Sequence, residues 1–67
     1  DGLNYYEKAL STTSNSFLRP IILDKSGSIC LRLNKKNKAK KYFEEIKEGY
    51  PDSQQAINID IKLSQVN

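Results

Sequence analysis

Apolar side chains recur at three- and four-residue intervals in successive stretches of this chain, separated by short polar runs, and that rhythm predicts amphipathic helices. Leu3, Tyr6 and Leu10, with Ala9 beside them, mark a first helix over residues 3–10. The run STTSNS, residues 11–16, carries side chains that hydrogen-bond their own backbone, so it predicts a loop with Ser16 or a neighbour as the next cap. Pro20 is tolerated in a first helical turn, where its missing N–H has no partner to lose, and a second helix is placed over residues 18–33. On it Leu23, Gly27, Cys30 and Leu31 share one face. Ile22, Ile29 and Leu33 widen the apolar surface, which implies contact with two neighbours. Asn34 and Asn37 are suitable turn residues. A third helix over residues 36–50 then buries Ala39, Tyr42, Phe43, Ile46 and Tyr50 and ends before Pro51. Its opposite face is charged, with Lys40–Glu44 and Lys41–Glu45 spaced as i,i+4 pairs.

The tail carries two signals. Pro51, followed by Asp52 or Ser53 as a cap, predicts a fourth helix over residues 54–65 with Ala56, Ile59, Leu63 and Val66 on one side. Ile57, Ile59, Ile61 and Leu63 also alternate with polar residues as a strand would. A lone strand has nothing to pair with in a helical chain, so the helix is preferred. It leaves Ile57 and Ile61 as surplus apolar surface.

Gly27 lies inside the second helix, where glycine costs about 1 kcal/mol relative to alanine. Close crossing by another helix would account for it; a glycine tolerated without a role is the plainer reading. The predicted core brings together Leu23, Gly27, Cys30, Ala39, Phe43 and Ile46. The chain also repeats itself: NYYEKAL, residues 4–10, lies on KYFEEIK, residues 41–47, at an offset of 37. That alignment matches Tyr5 with Tyr42, Tyr6 with Phe43, Glu7 with Glu44 and Ala9 with Ile46.

Size changes the picture. A chain of 67 residues makes one small domain, spanning residues 1–67. Below roughly 70–80 residues a single core seldom supplies more than about 3–5 kcal/mol, so help from a partner surface is expected. The lone Cys30 and the absence of histidine exclude an internal disulfide and a His/Cys zinc site. No apolar run approaches the roughly 18 residues of a membrane span, and the start has no signal-peptide pattern. Beginning at Asp1 rather than Met points to a processed product or a piece of a longer protein.

The chemistry for catalysis is missing from the sequence. There is no histidine, Gly-rich phosphate loop or nucleophile elbow, and Glu44, Glu45 and Glu48 sit on a mixed-charge helix face. Cys30 reads as a small buried hydrophobe, since no base accompanies it. The tyrosines read as core rather than as stacking platforms. A non-enzyme with no cofactor and no metal is expected. The net charge of +3 is too modest for a dedicated nucleic-acid binder. Lys35, Lys36, Lys38, Lys40 and Lys41 nevertheless crowd a helix start, where the macrodipole disfavours each well-placed cation by about 0.3–1 kcal/mol. They form a candidate patch for phospholipid, nucleic acid or an acidic peptide; a solvated lysine-rich turn is the plainer reading.

The spacing of Leu23, Gly27, Cys30, Ala39, Phe43, Ile46 and Pro51 matches the large, small and terminating positions of a tetratricopeptide (TPR) repeat. The succession YYEKAL, a loop, FLRPIILDKSGSICLRL and KAKKYFEEIKEGYPDSQQAINID resembles the C-terminal part of bacterial TPR proteins of the Bacteroidetes type, over nearly the whole chain. It departs from their pattern at Ser26, where a large apolar residue is usual, and at Cys30, where an aromatic is common. The resemblance implies an all-α fold of antiparallel helix hairpins in a TPR-like superhelix. About one and a half repeats plus a closing helix would be present, as part of a longer array. It further implies a larger parent, often membrane-anchored near its N-terminus, with repeats facing the cell envelope and acting in protein assembly.

Since the first helix of each TPR lines the concave groove, the resemblance carries Ile21, Asp24, Lys25, Ser28, Leu31 and Arg32 over as candidate peptide contacts. Lys25 and Arg32 alone do not reproduce the carboxylate-binding subclass. Two functions are therefore expected to compete. One is a scaffold or adaptor binding a protein segment. The other is a small basic domain binding nucleic acid or anionic lipid through the lysine cluster. Self-association, or docking on missing upstream repeats, is also expected, because Leu3, Tyr6 and Leu10 would otherwise lack cover.

Overall fold

The computed structural model describes residues 2–66, and every regular element in them is helical. Helix α1 spans Gly2–Thr12, α2 Leu18–Arg32 and α3 Lys36–Gly49; a 3-10 turn, Gln54–Ala56, precedes a short α4, Ile59–Ser64. No strand occurs among the described residues, so the alternation in the tail does not make one. The fold is all-α and built from antiparallel hairpins.

Local chemistry accounts for the boundaries. α1 runs past its predicted end at residue 10, because the Ser11 and Thr12 hydroxyls donate back to the Lys8 carbonyl at 2.8 and 3.2 Å instead of opening a loop. The side chain capping α2 belongs to Asn15, whose Oδ1 accepts from the Phe17 and Leu18 N–H groups at 2.8 and 3.1 Å. At the α2 C-terminus Asn34 adopts φ 61°, a left-handed conformation that asparagine tolerates. The Asn34 N–H then bonds the Leu31 carbonyl at 3.1 Å and the Lys35 N–H the Cys30 carbonyl at 2.7 Å, closing a Schellman turn. Asn37 lies not in this turn but in the first turn of α3.

The predicted continuous fourth helix is broken. Ile57 and Asn58 interrupt it, in a segment where three isoleucines and an asparagine all have modest helix propensity. Burial rather than propensity therefore holds the last turns. Ile59 and Val66 enter the core, Ala56 and Leu63 pack on its edge, and Ile57 and Ile61 stay 76% and 61% exposed.

All four helices feed one core of Leu3, Leu23, Cys30, Ala39, Phe43, Ile46, Ile59 and Val66. Gly27 is buried at its centre, and a Cβ added there would stand 2.5 Å from Phe43 Cε1 and 2.7 Å from Cζ. The close crossing is therefore real, and the reading of Gly27 as a residue without a role falls. Beside it Ser26 is fully buried with its hydroxyl unpartnered, an arrangement that costs about 1–3 kcal/mol.

Each helix packs on its neighbours in sequence, and side chains bridge alternate helices. Glu7 of α1 accepts hydrogen bonds from Tyr42 and Lys38 of α3, while Lys62 of α4 pairs with Asp24 of α2. Odd helices thus share one layer and even helices the other. The extents of 29 × 28 × 13 Å fit such a slab, the short one matching two helices packed roughly 8–10 Å apart.

Candidate functional site

The α1–α2 hairpin leaves a shallow, open depression of about 520 Å³, lined by Tyr6 from α1 and by Asp24, Lys25, Ser28, Ile29 and Arg32 from α2. Helical spacing explains the set: residues 24, 25, 28, 29 and 32 advance by one and three to four positions, so they form one strip of α2. Its floor is apolar, from the half-buried Tyr6 and Ile29, and its rim is polar. Four of the six predicted contacts, Asp24, Lys25, Ser28 and Arg32, are brought together here. The other two are not. Ile21 turns to a separate hollow with Phe17, Pro20 and residues 52–55, and Leu31 packs against the core from its edge.

The charges around the depression are unequal. Asp24 is bound by Lys62, whose ammonium also stands 5.9 Å from the centre of the Phe43 ring, so this carboxylate is already neutralised from the α4 side. Lys25 and Arg32 enter no ion pair among those the described residues form. The depression consequently presents two unpaired cations beside an apolar floor.

Tyr6 and Ile29 were not among the predicted contacts, although a signal for Tyr6 exists in the repeat. Tyr6 aligns with Phe43, which is fully buried and abutted by α2 at Gly27. Tyr6 has no such covering helix and remains partly exposed, so the depression lies where the equivalent of α2 would sit on α1.

Other predicted residues are placed differently. Lys35, Lys36, Lys38, Lys40 and Lys41 are all exposed, as a surface patch requires, but Lys38 is turned aside into an ion pair with Glu7 at 3.0 Å. Neither Lys40–Glu44 nor Lys41–Glu45 forms; Glu45 pairs instead with Arg19 at 3.0 Å. Tyr5 is not core but 71% exposed, edge-on to Tyr6 with ring centroids 5.5 Å apart. Tyr42 and Tyr50 are half-buried and use their hydroxyls in hydrogen bonds.

Two polar clusters tie α1 to α2 and α3. The hydrogen bond from Tyr42 at 2.6 Å, with that from Lys38, holds the Glu7 carboxyl below its ordinary pKa. Burial, followed by the bond to Glu7, pushes the Tyr42 phenol far above its own. Arg19 fans out to the Tyr50 hydroxyl, the Leu10 and Thr13 carbonyls and Glu45, over 2.8–3.0 Å. It thereby caps the exposed carbonyl end of α1, where a cation also suits the helix dipole.

Burial raises the Cys30 thiol pKa, which leaves it a poor nucleophile, and no group of three or more Cys, Asp or Glu side chains converges among the described residues. Among the described residues no helix is long and apolar enough to cross a membrane. Comparisons with protein-family models, with curated proteins and with solved structures returned no match to this chain.

Proposed function

We propose that this chain is a non-catalytic protein-interaction module with TPR-like organisation, holding about one and a half repeats and a closing helix and binding a partner segment over the α1–α2 depression. The observation that carries this reading is the depression itself: an apolar floor of Tyr6 and Ile29, with Lys25 and Arg32 unpaired on its rim. The alternate layering of the helices and the match of Tyr5 and Tyr6 to Tyr42 and Phe43 support the repeat organisation. The vacancy over Tyr6 supports a helical occupant, because Phe43, its counterpart, is covered by a helix whose glycine admits close approach. Such an occupant is an amphipathic helix with a small residue at the crossing point and carboxylates near Lys25 and Arg32.

The test is site-specific photocrosslinking from position 6, with position 41 on α3 as an exposed control. Extracts of the native host should yield a discrete protein adduct at position 6 and none at position 41, weakened tenfold or more by the pair Lys25→Glu and Arg32→Glu. Equal labelling at both positions, or an adduct indifferent to the charge reversals, would sink the reading.

A further inference from the structure

Between Lys25 and Glu44 the sequence contains cations but no carboxylate. The antiparallel packing of α2 on α3 gathers most of them at one end of the slab, around the turn at residues 33–35. Glu44, Glu48 and Asp52 lie farther along, toward the opposite end, so the molecule is polarised along its helix axes. At the basic end Arg32, Lys35, Lys36, Lys40 and Lys41 are exposed and enter no ion pair among those the described residues form. The N-terminal dipole of α3 opposes Lys35 and Lys36, so helix stability does not account for their placement.

The tip is not merely charged. Leu33 stands in it 50% exposed, between Arg32 and Lys35, and the Schellman hydrogen bonds of Asn34 and Lys35 hold the turn in shape. A hydrogen-bonded turn that presents an exposed leucine flanked in sequence by exposed cations fits a surface that is anionic at its face and apolar just beneath. We propose that the α2–α3 tip docks on an anionic membrane surface, with Leu33 entering the headgroup boundary and Arg32, Lys35, Lys36 and Lys40 meeting lipid phosphates and carboxylates. Leu33 decides between the two large anionic partners. An apolar side chain at the point of contact adds nothing against a nucleic-acid backbone, whereas at a bilayer it adds burial to the charge attraction. This docking meets the α1–α2 depression only at Arg32, which lines both; Leu33, Lys35, Lys36 and Lys40 lie outside the depression.

The test is co-sedimentation of the full chain with vesicles of phosphatidylcholine alone and of phosphatidylcholine with phosphatidylserine. Binding is expected only to the anionic vesicles, weakening as salt rises. Lys36→Gln with Lys40→Gln should lower the partition coefficient about 25-fold, roughly fivefold for each charge near the surface. Leu33→Ser should weaken it severalfold while keeping the salt dependence. All three positions are exposed, and circular dichroism checks that the variants fold. Nuclear relaxation from a spin-labelled lipid, measured on the unaltered chain, should be strongest at the amides of residues 33–36. The proposal is overturned by equal binding to both vesicles, by no binding to either, by an unaffected double lysine variant or Leu33→Ser variant, by relaxation centred elsewhere, or by duplex DNA displacing the chain from vesicles at equal charge concentration.

Discussion

Between Gly27 and Phe43 there is no room for a methyl group. Elsewhere in a helix, Gly→Ala gains about 1 kcal/mol from propensity alone. Here the added Cβ would meet the rigid edge of a fully buried ring at 2.5 Å, and overpacking a core costs about 1–3 kcal/mol. Gly27→Ala should therefore destabilise the chain despite the propensity gain, and Phe43→Leu should partly rescue it. Urea melts of the two single variants and the double variant measure this coupling; a Gly27→Ala chain more stable than the parent would refute the contact. The same pair shows why this part of the core could be read beforehand. A glycine in mid-helix demands a reason, and an aromatic in the next apolar stripe supplies one. Ser26 gave notice only through the repeat pattern, which puts a large apolar residue at its position; its own polar side chain gives no sign of burial.

Among the elements, α1 to α3 were legible because each carries an apolar stripe at helical spacing and ends at a residue with its own backbone chemistry. The tail was not, because neither helical nor strand periodicity decides a segment whose isoleucines are weak helix formers; only the docking of Ile59 and Val66 does. Contacts between elements were the least legible. Arg19, Glu7 and Lys62 find partners 26 to 38 residues away, and no local rule pairs them. The Glu7–Tyr42 bridge between α1 and α3 has a pH signature. Glu7 is more acidic in the folded chain than in the unfolded one, so its contribution is complete above the unfolded carboxyl value of about 4.3 and is lost as pH falls through the folded value. Tyr42 is shifted the other way, so its contribution is complete below about pH 10 and is lost as pH rises beyond that. Glu7→Gln should consequently lower the melting temperature most between these limits and match the parent in acid. A difference of constant size across the pH range would show that the bridge is not electrostatic.

In the whole molecule, α1 is less exposed than a repeat lacking its upstream neighbour would suggest. Leu3 is buried within the chain and Leu10 packs against the core. The apolar surface that remains open includes Tyr5 with the depression, Ile57 and Ile61 on the last helix and its approach, and Phe17, Leu18 and Leu33 at the two ends of α2. Separate apolar patches of this kind favour association between copies. Sedimentation velocity at micromolar concentration should show a concentration-dependent coefficient, shifted toward monomer by Ile57→Ser with Ile61→Ser. Concentration-independent monomers in both would remove self-association. The packing of each helix on its sequence neighbours also has a kinetic side. Loops of a few residues close quickly and with little entropy loss, and chains dominated by local contacts fold in microseconds to milliseconds. The α2–α3 hairpin, which holds Leu23, Gly27, Cys30, Ala39, Phe43 and Ile46, can therefore nucleate by itself. α1 and α4 then add from either flank and are the first to peel away.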